Sequence, residues 1–228
     1  MHLAHWQEFA INFIMLKVKK WVWQSNFKTE RRLTFKMIKF RSMVINADKN
    51  KVDSTSVNDE RITRLGHFIR RFKIDELPNF FNIIAGDMSF VGPRPNVKRE
   101  TDLYTNDEKL LLSVRPGVTD IASIVFSDEG QILEFSDDPD LDYNQLIRPW
   151  KSRLGIFYIR NQSILLDIKL IFLTLIAIFS KEKALKLINK ILIKYSADET
   201  LVDISKRLSP LHPHPPPGSD KIVTSRNI

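Results

Sequence analysis

Leu170 to Phe179, LIFLTLIAIF, is the most apolar stretch of the chain, and it is only ten residues long. A membrane-spanning helix needs about 20 such residues, and Asp167 and Lys169 stand just before this one. The helical patterning from Arg148 to Phe179 therefore predicts a core or interfacial helix rather than a single span. A second apolar patch, Phe9 to Val18, is broken by Asn12 and Lys17 and followed by Lys19, Lys20, Trp21 and Trp23. That combination suits an amphipathic helix lying in a membrane interface. A helix packed on its own domain is the alternative. Basic residues follow the apolar patch, and no small-residue cleavage pattern accompanies it, which argues against a secretory signal.

Charge is concentrated in the same region. Between Lys17 and Arg41 nine Lys and Arg oppose Glu30 alone, a balance equal to the whole chain's net charge of +8. Such a field implies an anionic partner: nucleic acid, a phosphorylated ligand or an anionic membrane surface. The chain has no cysteine, which excludes disulfides, thiolate nucleophiles and Cys-ligated metal centres. At 228 residues, 43% of them hydrophobic, it can bury a core in one domain or in one domain with appendages.

The pattern divides into a membrane-proximal segment at 1–32, a catalytic domain at 33–195 and a flexible, Pro-containing tail at 196–228. Leu33 to Phe40 alternates as a strand does. Asn46 to Asp59 is polar and reads as a loop or as a helix plus loop. Ile62, Leu65, Ile69 and Phe72 recur at helical spacing, which leaves Arg70 and Arg71 seeking solvent or an anion. Ile74, Leu77, Phe80, Phe81 and Ile84 form a second stripe, with Asp75 predicted as its N-cap and Gly86 and Asp87 as its stop. Two proline-stiffened turns, FVGPRP at Phe90 to Pro95 and RPG at Arg115 to Gly117, flank a polar helix predicted over Val97 to Leu112. Asp120 to Asp142 is acidic with no Lys or Arg, the mark of a solvated loop or edge. Glu182 to Tyr195 is a basic amphipathic helix able to pack or to lie on lipid. His212 and His214, among the terminal prolines, are incidental on this reading.

Asp75 and Glu76 are the residues with chemistry to offer. Adjacent on a helix, they point about 100° apart and cannot clamp one atom, but they can divide two tasks. One carboxylate can be a nucleophile while its neighbour ligates a hard cation. Read alone, such a pair before an apolar run is more often helix capping.

Four segments change that balance: FKMIKFRSM at Phe35 to Met43, ITRLGHFIRRFKIDELPNFFNIIAGDMSFVGPRP at Ile62 to Pro95, SVRPGVTD, and YIRNQSILLDIKLIFLT at Tyr158 to Thr174. Together they closely resemble the bacterial sugar transferase family, the small monotopic phosphoglycosyl transferases, over roughly Phe35 to Phe179. The resemblance implies a helix-rich α/β fold with interfacial amphipathic helices, at the cytoplasmic face of the bacterial inner membrane. It implies transfer of a sugar phosphate from a nucleotide diphosphate sugar, a UDP-sugar by family expectation, to polyprenyl phosphate. Asp75 would be the nucleophile, forming an aspartyl phosphosugar, and Glu76 would help bind Mg²⁺. Arg94 and Arg115 are the foremost phosphate contacts, with an internal carboxylate the alternative partner for Arg94. Lys39, Arg41, Arg70 and Arg71 are secondary choices. Asp87 and Asn161 fall within the same motifs without an assigned role.

Members of that family begin with a longer apolar segment that enters and leaves one leaflet, followed by FxQxRxG. Here Phe9 to Val18 precedes Trp23 to Arg32, WQSNFKTERR, which departs from that pattern. A truncated or divergent anchor is therefore expected, and with it a second reading: a catalytically weak or inactive membrane-associated assembly protein. Nucleic-acid binding through the basic patch and Trp21 and Trp23 is a distant third. Oligomeric state, homo-oligomer included, is left open.

Overall fold

The computed structural model describes residues 22–28, 34–47, 52 and 54–225, the first of these as backbone only. The Phe9 to Val18 patch and Trp21 lie outside the described residues. Strands β1 (Val22–Lys28) and β2 (Thr34–Phe40) form an antiparallel pair with Val22 opposite Phe40. Phe35, Met37 and Ile38 of β2 turn inward.

Helix α1 (Arg64–Arg71) starts at Thr63, whose side chain accepts the Gly66 N–H. Gly66 is obligatory here because a Cβ would sit 1.9 Å from the Ser42 carbonyl oxygen. The chain then reverses at Lys73, which has a left-handed backbone (φ 54°), into a single 3-10 turn, Ile74–Glu76. Helix α2 (Asn79–Ala85) follows Pro78 and ends on Gly86 at φ 82°. Asp75 is thus not the N-cap expected of it: the helix starts later, with Pro78 at its boundary, and Asp75 lies inside the preceding turn.

The two proline turns meet. Strand β3 (Ser89–Val91) lies parallel to β4 (Gly117–Thr119), with Ser89 opposite Gly117 and Val91 opposite Thr119. Between them stand α3 (Lys98–Thr101) and a 3-10 segment, Glu108–Ser113, in place of the continuous helix expected over Val97 to Leu112. The interruption has a cause. Thr105 and Glu108 cap each other, the Glu108 N–H donating to Thr105 Oγ1 and the Thr105 N–H to Glu108 Oε2, each at 3.1 Å.

The acidic stretch is also only partly a solvated loop. It opens with a capping box between Asp120 and Ser123 and a wholly buried helix, α4 (Ile121–Val125), before α5 (Glu129–Ile132) and α6 (Pro139–Asp142). Helices α7 (Arg148–Asn161), α8 (Ile164–Phe179), α9 (Lys181–Lys194) and α10 (Glu199–Lys206) complete the fold. The main core joins Ile121, Ile124, Leu154, Leu166, Leu170, Ile188 and Leu192, so α9 packs rather than standing free. This is the helix-rich α/β class expected.

The segment read as a flexible tail carries α10 and then a proline run laid back on α7. Proline cannot donate a backbone hydrogen bond, but its carbonyl accepts: Arg153 donates to Pro215 at 3.0 Å and Thr105 Oγ1 to Pro217 at 2.5 Å. His214 stacks on Trp150 with ring centroids 4.3 Å apart, so it is not incidental to the packing.

One feature of the surface bears on the site. Much of the stripes predicted for α1 and α2 points outward: Leu65 is 62% and Leu77 65% exposed, Phe80 and Ile84 are exposed with them and so is the neighbouring Phe68, while Ile62, Ile69, Ile74 and Phe81 are half-buried. Inward go Gly66, Asp75, Asn79 and Asn82. Helix α8 buries Leu166, Leu170 and Leu173 but turns Ile164, Leu165, Phe172, Leu175 and Phe179 out. No helix of the described residues is long and apolar enough to cross a membrane.

Candidate active site

Strand β2 has one edge against β1 and one edge open, and Asn82 of α2 closes the open edge. Its Oδ1 accepts the Ile38 N–H at 3.0 Å and its Nδ2 donates to the Lys36 carbonyl at 2.8 Å. One amide thus does for β2 what a neighbouring strand would, and docks α2 beside it. Lys39, next along β2, is brought 3.6 Å from Glu76 Oε1.

Arg94 approaches the same carboxylate from the VGPRP turn. Its Nη2 donates to Glu76 Oε1 at 2.6 Å and its Nη1 to Oε2 at 3.0 Å, a bidentate fork, while Nη1 also donates to the Val118 carbonyl of β4 at 3.2 Å. Of the two partners weighed for Arg94, the structure displays the internal carboxylate. The pairing fixes both protonation states. Burial opposes ionisation of Glu76, yet Arg94 and Lys39 together hold it well below the usual carboxylate range. Glu76 in turn raises Arg94 further above its ordinary value.

Asp75 is placed differently. It is 9% exposed and has no hydrogen bond or ion pair within the described residues. Burial, and then the Glu76 charge, push its carboxyl up, against the pull of Lys39, Arg70 and Arg94. Two adjacent carboxylates therefore sit in opposite states of commitment: Glu76 locked into an ion pair, Asp75 desolvated and unbonded but overlooked by three cations. An unbonded, partly desolvated carboxylate facing positive charge has the chemistry to attack an anionic substrate.

The remaining expected residues divide. Arg70 acts on Asp75 through its charge. Arg71 lies over the Phe72 ring, 5.7 Å from its centroid, and Arg41 follows the end of β2. Arg115 lines a separate cleft of about 380 Å³ with Ser89, Gly92, Tyr158, Gln162 and Asp167. Asn161 donates to the Phe157 carbonyl within α7, and burial raises the Asp87 carboxyl. Three residues that sequence reasoning passed over belong to the site. Asn82 holds β2, Lys73 sets the reversal before Asp75, and Asp120, 2% exposed, is close enough for Arg94 to act on its charge. Only Asp120 carried a readable signal, the Asp-x-x-Ser capping spacing.

A family model described as bacterial sugar transferase matches residues 7–181. The chain belongs to the bacterial sugar transferase family. Among relatives, it is 38% identical over 152 residues to galactosyl transferase CpsE of Streptococcus agalactiae, covering 62% of this chain and 30% of that one. It is 37% identical over 153 residues to the UDP-glucose:undecaprenyl-phosphate glucose-1-phosphate transferase of Klebsiella pneumoniae, covering 65% and 30%. It is 33% identical over 144 residues to the UDP-N-acetylgalactosamine-undecaprenyl-phosphate N-acetylgalactosaminephosphotransferase of Aeromonas hydrophila, covering 62% and 31%. The chain thus spans about 30% of the length of these family members, and every segment that builds the Asp75 site falls within the matched residues.

Proposed function

We propose that this chain is a phosphoglycosyl transferase that moves a sugar phosphate from a UDP-sugar to undecaprenyl phosphate through a covalent intermediate on Asp75. The observation that carries the reading is Asp75 itself, its carboxyl desolvated and without a hydrogen bond among the described residues, beside a carboxylate already neutralised by Arg94. The names of the relatives support the substrate pair.

An Asp75 oxygen attacks the phosphorus that bears the sugar. The bond from that phosphorus to the bridging oxygen breaks, and the nucleoside monophosphate leaves with the electron pair. This forms an aspartyl phosphosugar. An oxygen of polyprenyl phosphate then attacks the same phosphorus, the acyl phosphate bond breaks and Asp75 regains its carboxylate. The raised pKa matters here: an ionised Asp75 is unstable where it stands, and attack relieves that. Lys39 and Arg70 face the incoming diphosphate, and Arg115, on its own cleft, is a further phosphate contact.

Mg²⁺ takes one or two carboxylates together with substrate phosphates and water. The donor set fits such an ion, because each Glu76 oxygen has two lone pairs and Arg94 occupies one on each. Glu76 would hold the ion, which would offset charge on the diphosphate. The outward Leu65, Leu77, Phe80 and Phe172 give the protein apolar surface to seat at an anionic bilayer, on the face where both substrates are met.

The test is release of nucleoside monophosphate from a panel of UDP-sugars by detergent-extracted protein with Mg²⁺ and undecaprenyl phosphate. Turnover by the parent, none by Asp75→Asn, and a phosphosugar adduct on the Asp75 peptide are expected. Equal release by Asp75→Asn would overturn the covalent mechanism, and no turnover by folded parent on any sugar would overturn the transfer itself.

A further inference from the structure

Lys73 occupies a backbone conformation that suits glycine. It is the residue after the C-cap of α1, its N–H donates to the Arg70 carbonyl at 3.0 Å, and its φ of 54° is left-handed. Helices commonly end this way, but on Gly or Asn, because a Cβ strains the left-handed region. A lysine retained there needs a reason beyond the turn.

Its side chain provides one. Lys73 is partly buried, and burial lowers its ammonium pKa. The Glu76 N–H donates to the Lys73 carbonyl at 3.2 Å, which sets Lys73 beside the Glu76–Arg94 pair, and the charges that act on its amine are Glu76, Arg94, Asp120 and Lys151. Yet no hydrogen bond or ion pair within the described residues reaches it. The carboxylate nearest in influence, Glu76, is already taken by Arg94 and Lys39. Arg94, foremost among the expected phosphate contacts, spends its fork on Glu76. The site therefore holds a partly buried amine that has no partner among the described residues, two residues from the candidate nucleophile.

We propose that Lys73 is a phosphate-binding residue of this site, its amine receiving the diphosphate of the nucleotide sugar, and that its strained backbone is retained to deliver that amine. Three donors on a compact, rotatable head suit a diphosphate whose oxygens change position as the bond to the leaving group breaks. The inference rests on the transferase reading but is tested apart from it.

The experiment is titration of UDP, inorganic pyrophosphate and uridine into the detergent-extracted chain by calorimetry, alongside melting curves, for the parent and for Lys73→Met, Lys73→Gly and Lys73→Arg. Met and Gly variants are expected to bind UDP and pyrophosphate about tenfold more weakly, with uridine unchanged, and Arg to stay within about threefold of the parent. Lys73→Gly is expected to melt at or above the parent temperature, since it removes the strain along with the amine. A lysine that served only the fold would lower the melt in Met and Gly and leave UDP affinity unmoved; that result, or parent-like UDP binding by Lys73→Met, overturns the proposal. Should Lys73→Met fail to melt cooperatively, Lys73→Gly and Lys73→Arg decide on the same readouts. Parent protein that binds UDP but turns over no UDP-sugar counts against the transferase reading and leaves Lys73 standing.

Discussion

Replacing Arg94 by Met removes two charge-assisted hydrogen bonds to Glu76, at 2.6 and 3.0 Å, and a third bond to the Val118 carbonyl. Bonds to charged groups contribute about 1.5–3 kcal/mol each, and taking one partner from a fully buried pair costs about 3–5 kcal/mol. Here the Arg94 side chain is 28% and that of Glu76 12% exposed, and Lys39 stays 3.6 Å from the stranded carboxylate. Both facts reduce the loss, which we place at about 2–4 kcal/mol, a fall in melting temperature of about 5–15 °C for a chain of this size. Glu76→Gln should lose a similar amount, and the double variant should lose much less than the sum, leaving a coupling of at least about 1.5 kcal/mol. Glu76 is held below its ordinary value of 4.5, so the pair's contribution is complete above that value and is lost as pH falls through the native one. The margin of the parent over Glu76→Gln therefore shrinks in acid. Denaturation of the four proteins in one detergent, at neutral and acid pH, measures all of this. A coupling below about 0.5 kcal/mol would refute the claim that the pair is a unit, and with it the account of Glu76 as the committed half of the site.

Gly66→Ala forces a methyl to within 1.9 Å of the Ser42 carbonyl oxygen; overpacking of this kind costs about 1–3 kcal/mol or more, and melting curves should show a drop of several degrees. Asp75→Asn should melt higher than the parent at neutral pH. A raised carboxyl pKa means that stability is lost as pH rises from the unfolded pKa through the native one, so the gain from Asn should vanish in acid; a variant less stable at neutral pH would contradict it. The double variant Leu77→Asp, Phe80→Ser should float with anionic vesicles at least tenfold less than the parent, since each apolar side chain buried contributes about 1.5–3 kcal/mol. Unchanged flotation would show that this face does not meet the bilayer.

Period-based reading located β2, α1, α2, α8 and α9, because spacing reports which residues share a face. It does not report what the face meets. Leu77, Phe80 and Ile84 have the spacing of a core stripe and lie outside, while Asn79 and Asn82 lie inside. Asn82 is there because the open edge of β2 needs a donor and an acceptor at once, a demand set by a strand more than forty residues away in the chain. The Glu76–Arg94 contact was legible only as one of two alternatives, since ion pairing depends on how β3 and β4 bring VGPRP alongside RPG. Lys73 could not be read at all: nothing in FKIDE announces a left-handed lysine. The docking of the prolines was missed for a simpler reason, as composition shows that they cannot be helical but not that Arg153 and Thr105 wait for their carbonyls.

The inverted polarity of α1 and α2 ties the membrane question to the chemistry. Leu77, outward, follows Asp75, inward, by two residues, so their Cα atoms are separated by no more than about 7.6 Å of chain. On the proposed reading, with Leu77 seated in a bilayer, Asp75 would lie at the depth of lipid headgroups, where the phosphate of a polyprenyl acceptor would be met and its tail need not leave the membrane. On the same reading the nucleotide sugar would be drawn by the charges of Lys39, Arg70 and Lys73. Asn82 grips β2 through two hydrogen bonds and Ile83 packs on the cluster of Phe35, Met37 and Met88, which leaves Leu77, Phe80 and Ile84 on the outside. A conventional amphipathic helix here, apolar side in, would bury Leu77 and Phe80 and hold Asp75 away from any lipid-borne phosphate.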